Sequence, residues 1–379
     1  MKTGILLPKS NYQPLLQYDF LAGCKASLAH VGTDVEYVTA NIGFGTDKDA
    51  VYAAAEKMLM EDDVDVLVMY ADQQSLLPVA EFARAANKLI ILVHPGARYM
   101  HGWEPHPNVI SHTLQHNLCC QQTAARAAGI ATKAAFCTSF FEAGFPVSHA
   151  LSHYYISNGG MLEYNFISRF KAAEFTVAPL VAFLQQRPDV TTLLTLFNGE
   201  LGHLFLQQLA AAQLDNLQLF AGPMLFEDAL VANYGPIQLS CSLEGYIPWH
   251  PAVDLPANKL FMEQMSQTLE RAITSFTMHG WTTGQLLAAI ASGKAAHGYK
   301  PKGVLQALEQ VQIDSPRGPI TFDPATQHTL APLWYAHADA NMHVTIGHEM
   351  TATLDQWTAL QSEVKGAFIS NWNNTYPCG

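Results

Sequence analysis

Charge is scarce in this chain: only 14% of its residues are Asp, Glu, Lys or Arg. The balance is acidic, thirty-two carboxylates against twenty basic side chains for a formal −12, and no Lys/Arg cluster interrupts it. Nucleic acid and anionic membrane are therefore poor partners, because both are held through a basic footprint. Long apolar runs are missing as well. None reaches the ~20 residues of a spanning helix, so no membrane insertion is expected. Met1-Lys2-Thr3 leads directly into Gly4-Ile5-Leu6-Leu7, too short for the apolar region of a signal peptide and without a small-residue cleavage site. The expectation is either a cytosolic protein or a secreted one written without its leader, which leaves the compartment open.

Catalytic signatures are equally thin. The six cysteines, Cys24, Cys119, Cys120, Cys137, Cys241 and Cys378, show no C-x-x-C spacing for zinc or redox work. Most lie in apolar periodic segments, where buried free thiols outnumber disulfides, and this favours a reducing compartment. Gly43-Phe44-Gly45 lacks the third glycine of a dinucleotide fingerprint and follows the second strand-like run rather than the first. Neither a phosphate-binding G-x-x-x-x-G-K-[ST] loop nor a G-x-S-x-G elbow occurs. His348-Glu349-Met350-Thr351-Ala352 begins like a zinc-protease helix, but Ala352 stands where the second histidine ligand must be. His337, His343 and His348 read as scattered surface histidines, and His116 beside Cys119-Cys120 makes a weak nucleophile pair because helical neighbours face different ways. No enzyme activity, cofactor or metal is expected.

What is present is length, apolar content and rhythm. A chain of 379 residues exceeds the roughly 250–300 at which one core stops growing, so two lobes are the default. Strand-like runs at Thr3–Leu7, Asp34–Thr39, Val64–Tyr70, Leu89–His94 and Val109–Leu114 are separated by helical patterns at Leu15–His30, Thr46–Glu61 and Ser75–Asn87. That alternation predicts a parallel sheet covered on both faces. The rhythm repeats with strands at Lys133–Thr138, Met161–Phe166, Thr191–Leu196 and Leu217–Ala221 and helices at Phe145–Ser157, Phe175–Arg187, Glu200–Ala212 and Phe226–Tyr234. After Leu243 it gives way to helices at Asn258–Phe276, Trp281–Ser292 and Lys302–Val311, then a hairpin and late strands at Leu330–Ala336 and His343–Ile346. The helical block packs back on the first sheet. Residues 1–116 with 244–330 are expected to form lobe one, 117–243 with 331–360 lobe two, and 361–379 a C-terminal tail. Three crossings would join the lobes, near Leu114–Asn117, Leu243–Trp249 and Leu330–Ala336.

The hairpin carries a resemblance. In Gly318-Pro319-Ile320-Thr321-Phe322-Asp323-Pro324 each proline forbids helix and pushes its predecessor to extended geometry, leaving Ile320 and Phe322 as a short apolar strand. Together with "G-I-L-L-P" at the start and "A-G-P" at Ala221–Pro223, it resembles the type I periplasmic-binding-protein family, typified by branched-chain amino-acid receptors. The resemblance covers nearly the whole chain, though no single motif is diagnostic. It implies two open parallel-sheet Rossmann-like α/β lobes on a three-stranded hinge, closing around a small ligand such as an amino acid, a related small carboxylate or an amide. An ABC-type permease is the implied partner; a cytosolic ligand sensor on the same fold and an unrecognised α/β hydrolase are the alternatives.

In open α/β sheets ligands bind beyond the carboxyl ends of strands. On lobe one that selects Ser10 and Tyr12 after the first strand, Gln74 and Ser75 after the third, and Gly96, Ala97 and Arg98 after the fourth, loops that in the family grip a ligand carboxylate. Ser75 could equally cap its helix. Arg98 replaces a small hydroxyl residue of the family loop, and it either clamps a ligand carboxylate or points into solvent. On lobe two the family places an aromatic wall and an acid for the ligand ammonium; the matching positions are Phe145 or Phe141, Phe197 beside Asn198, and Glu227. Core packing of the aromatics and a helix-dipole role for Glu227 are the plain alternatives. Trp249, after the second crossing, is read as an aromatic lid or as hinge packing.

Overall fold

Runs such as Val66–Tyr70 and Thr192–Leu196 carry no polar alternation and are buried at every position, as strands covered on both faces must be. The computed structural model describes residues 1–71, 73–96, 105–139, 144–214, 216–350 and 353–363, without the side chains of 73–74, 144–146, 348–350 and 361–363. In chain order the first half runs β1 (Lys2–Leu7), α1 (Leu16–Val31), β2 (Glu36–Asn41), α2 (Lys48–Met60), β3 (Val66–Tyr70), α3 (Gln73–Ala85), β4 (Leu89–His94), β5 (Val109–Thr113), α4 (His116–Ile130), β6 (Lys133–Ser139), α5 (Gly144–Ser157), β7 (Met161–Ser168), α6 (Ala178–Gln186), β8 (Thr192–Leu196), α7 (Gly199–Ala211) and β9 (Gln218–Ala221). The second half adds α8 (Asp228–Tyr234), β10 (Ser242–Ile247), α9 (Pro256–Ser266), α10 (Ser275–Ser292), α11 (Lys294–His297), α12 (Pro301–Leu308), β11 (Thr321–Asp323), β12 (His328–Leu330), β13 (Leu333–Ala338), β14 (Val344–Met350) and α13 (Thr353–Glu363).

Two seven-stranded sheets result, ordered β11-β12-β5-β4-β3-β1-β2 and β14-β13-β10-β9-β8-β6-β7. Their parallel cores share one winding, with the chain stepping outward once, to β2 or β7, before returning past its first strand. Strand order therefore reverses between β1 and β3 in one lobe and between β6 and β8 in the other. Those are the switch points where such sheets hold ligands. Apolar layers lie on both faces of each sheet. A fifth cluster of Leu114, Trp249, Phe261 and Trp281 sits where the chain passes between lobes.

Three expectations shift. β10 pairs with β9 and β13, so the chain leaves the second sheet after Ile247 and not before Glu244. The helix expected over Asn258–Phe276 is two helices, because Thr274 forms a capping box with Thr277 and starts α10 afresh. Helix α4 lay outside the periodic reading. Its buried face includes His116, Asn117, Gln121 and Thr123, which erases the apolar stripe that marks a helix.

Helix α10 packs on α1 at backbone contact. A Cβ at Gly280 would lie 1.9 Å from the Phe20 carbonyl oxygen, and one at Gly23 2.0 Å from that of Thr277. This crossing admits only glycine and fixes the α10 amino end beside the lobe boundary.

The hinge is wired through Arg317, 1% exposed. Its Nη1 donates to the Thr113 carbonyl at 2.7 Å and its Nη2 to Gln115 Oε1 at 2.5 Å. Gln115 Oε1 also accepts the Ala331 amide at 3.0 Å, and the Trp334 indole donates to the Arg317 carbonyl at 3.1 Å. The first and third crossings are thereby stitched together. Burial pulls the guanidinium down to about 10, so it stays charged at neutral pH. Replacing it with Met keeps volume but removes both donors, and Arg317→Lys keeps charge but loses the fork. Both variants should lose roughly 2–4 kcal/mol of stability, read from urea unfolding midpoints; an unchanged midpoint in either would remove Arg317 from the hinge.

Candidate functional site

The loop after β1 is shaped by Ser10, whose buried hydroxyl accepts the Gln13 amide at 2.9 Å. Thus held, Gln13 reaches across the lobes and its side-chain amide donates to Asn198 Oδ1 at 3.3 Å. Asn198 is the N-cap residue of α7, and its side chain makes no cap bond. The two loops approach closely enough that a Cβ at Gly199 would meet the Tyr12 carbonyl oxygen at 2.8 Å. Beside this contact is an interlobe cavity of about 60 Å³. Tyr12, Asp19, Arg271, Thr274 and Phe276 line it from lobe one, and Gly199, Met224, Glu227 and Tyr234 from lobe two.

Two carboxylates face this space in opposite conditions. Asp19 accepts from Arg271 Nε at 2.9 Å, from Arg271 Nη2, and from the Thr274 hydroxyl at 3.0 Å. Burial raises its carboxyl, and the bonds and charge of Arg271 pull against that rise. Glu227 meets no cation among the described ion pairs. It accepts the Ser275 amide, the first of α10, at 3.2 and 3.3 Å, a bond that joins the β9–α8 connection of lobe two to lobe one. Burial pushes its carboxyl up to about 7, against the hydrogen bonds from Ser275 and the charge of His250. His250 itself lies 3.2 Å from Asp228.

Of the residues expected to form the site, Tyr12 and Glu227 share the cavity. Ser10 and Asn198 meet through Gln13. The others described lie elsewhere. Ser75 is buried and its hydroxyl donates to the Gly45 carbonyl at 3.1 Å. Gly96 donates its amide to His94 Nδ1 and accepts from the Asn117 amide at 2.7 Å, tying the β4 loop to the first crossing. Phe197 stacks on Phe205, ring centres 4.4 Å apart, in the lobe-two core. Trp249 donates to Asn258 Oδ1 at 2.8 Å and packs edge-on to Phe261 in the hinge cluster. Ala97, Arg98 and Phe141 fall outside the described residues, as do the side chains of Gln74 and Phe145. Asp19, Arg271, Thr274 and Phe276 were absent from the expected set. A carboxylate on the α1 face that also buries Leu16, Phe20 and Gly23 was the available signal.

The desolvation of the half-buried Glu227 carboxyl has a pH consequence. Its folded value, about 7, exceeds its ordinary 4.5, so the folded chain holds this proton more tightly than the unfolded one. Stability from this group is complete below about pH 4.5 and is lost as pH rises through 7, by on the order of 3 kcal/mol. Denaturation midpoints measured from pH 4.5 to 8 should fall more steeply for the wild type than for Glu227→Gln; parallel profiles would show that the carboxyl does not titrate in this window.

Comparison with known proteins agrees with the geometry. The sequence profile of the periplasmic binding protein family matches residues 1–342. The structure superposes on an ABC transporter substrate-binding protein from Sphaerobacter thermophilus with TM-score 0.78 at 15% identity, over 92% of this chain and 97% of that one. A solute-binding protein from Rhodopseudomonas palustris BisB5, solved with 3,4-dihydroxybenzoic acid, gives TM-score 0.76 at 17% identity over 93% and 98% of the two chains. An amino acid ABC transporter substrate-binding protein from Pseudomonas fluorescens gives 0.74 at 11% over 95% and 98%. No curated protein matches the chain in sequence. Two lobes with matched switch points, a three-crossing hinge and a profile match through residue 342 lead to one statement: the chain belongs to the type I periplasmic binding protein family.

Proposed function

We propose that this protein closes its two lobes around one small solute for delivery to an ABC-type permease and does no chemistry on it. The observation that carries the reading is the interlobe cavity in which Glu227 of lobe two faces Tyr12 and Phe276 of lobe one. A half-buried carboxylate whose hydrogen bonds among the described residues come from the Ser275 amide favours a ligand group that is cationic or donates hydrogen bonds, and the flanking rings favour an apolar or aromatic body. Amino acids and related small carboxylates or amides combine these features. The fold neighbours solved with benzoates or named for amino acids support that class. Closure by hinge follows because a ligand touching both lobes contributes differential contacts only when they are together.

A second reading, a cytosolic sensor on the same fold, is favoured by one observation: Cys24, Cys119, Cys120 and Cys137 are buried free thiols and Cys241 is a free thiol as well. Compartment separates the two. The transport reading requires the protein outside the inner membrane, and cell fractionation decides it. No described helix is long and apolar enough to cross a membrane.

Mass spectrometry of the solute released from native protein, followed by calorimetry with it, tests the main reading. An amine-bearing solute should bind the wild type in a one-to-one ratio, and Glu227→Gln should weaken it by ~1.5–3 kcal/mol, the range for a hydrogen bond to a charged partner. Equal affinity of the variant would remove Glu227 from the site; a released solute that is chemically turned over would overturn the binding-only reading.

A further inference from the structure

Helix α5 carries two histidines one turn apart. His149 and His153 are spaced i, i+4, which puts both on one face of a helix with Cβ atoms roughly 5–6 Å apart. Their rings stack with centres 4.7 Å apart and planes inclined by 13°. His149 is half-buried and His153 exposed, so one ring is held by its surroundings and the other can adjust.

We propose that His149 and His153 form a bidentate site for a divalent first-row cation of the imidazole-preferring group, nickel, copper or zinc. The rigid part is already in place. Val147, Ala150, Leu151 and Tyr154 of α5 are buried in the core layer shared with α4, so core packing holds the backbone that spaces the two rings. Metal–nitrogen bonds of about 2.0–2.1 Å in tetrahedral geometry need two donor nitrogens roughly 3.4 Å apart. The stacked arrangement holds the in-plane lone pairs of the two rings parallel, so chelation turns both side chains until one nitrogen of each points at a shared ion. Metal ligation requires neutral imidazole. The chain's formal −12 draws cations toward the surface in general, and the paired imidazoles select among them by ligand type.

The described residues hold no cluster of three or more histidine, cysteine or carboxylate ligands. The site therefore offers two protein donors and leaves the remaining positions to water. That makes it an exchangeable surface site rather than a structural one, which would close four protein ligands about the ion. Its effect on the molecule is local: an ion bridging successive turns staples α5, and ligand bound only to the folded state raises stability. The site is separate from the interlobe cavity, so it stands or falls apart from the solute-binding reading.

The test is a nickel titration of the full, untagged chain after chelator treatment, by calorimetry and by thermal unfolding. Wild type should bind one ion at this site and unfold at a higher temperature with nickel present. His153→Ala changes an exposed position and is expected to fold; it should weaken binding by at least about tenfold, since the second donor acts at a high effective concentration, and should lose the thermal shift. His153→Gln should behave the same way. Equal nickel affinity in wild type and both variants, or no thermal shift in the wild type, overturns the proposal.

Discussion

The first and third crossings between the lobes are held by a buried cation with no carboxylate partner among the described residues. Arg317 is held by the Thr113 carbonyl and the Gln115 amide oxygen, both on the first crossing, while its own carbonyl receives the Trp334 indole on the third. A buried charge survives only when polar groups replace its water. Here the replacement comes from backbone and amide oxygens of chain segments that would otherwise be independent. Gln115 takes a left-handed conformation, φ 56°, and its side-chain oxygen accepts both from Arg317 and from the Ala331 amide. Neutral partners suit a hinge. They fix where the crossings lie through directional hydrogen bonds, with no second buried charge to desolvate.

From that fixed axis the rest of the site follows by packing. The second crossing is anchored separately, by Trp249 donating to Asn258 and by the apolar cluster with Leu114 and Trp281. Trp281 belongs to α10, and α10 lies against α1 at glycine-only distance through Gly23 and Gly280. Hinge cluster, α10 and α1 are thus packed together on lobe one. That packing sets the α10 amino end, where Thr274 turns toward Asp19 and Ser275 offers its amide to Glu227 of the other lobe.

Much of this could be read in the sequence, and the failures have physical causes. The β-branched and apolar runs that became β1, β3, β4, β6 and β8 stood out because strands buried on both faces have nowhere to put polar residues. The two-sheet order and the three crossings followed from their rhythm. Helix α4 escaped because buried His116, Asn117 and Gln121 look like surface residues to any periodicity argument. The α9–α10 break escaped because a Thr274–Thr277 capping box is weak punctuation beside Gly or Pro. Tyr12 and Glu227, expected from the loops beyond strand ends and from the family resemblance, both line the interlobe cavity. Asp19 was not expected, because it projects from within a helix and the strand-end rule inspects only loops. Arg317 stood in a stretch that reads as a turn, and nothing local in Ser315-Pro316-Arg317-Gly318 announces that its guanidinium goes inward.

The two acids of the cavity show how the same residue type acquires opposite roles from its neighbours. Asp19 has Arg271 and Thr274 as permanent partners, so its charge is used up in holding the α9–α10 connection against α1. Glu227 has one backbone amide and the positive end of α10, less than a carboxylate of roughly four acceptor sites can take. Desolvation is the largest influence on it and raises its carboxyl. The same desolvation strengthens any charge brought next to it, because attraction grows as the local dielectric falls. A ligand ammonium at Glu227 would therefore replace a proton, and binding would be linked to proton release. Asp19, already compensated, would contribute little to that exchange. On the proposed reading, a preference for cationic ligands would rest on how few partners Glu227 has among the described residues, and adding one nearby would weaken it.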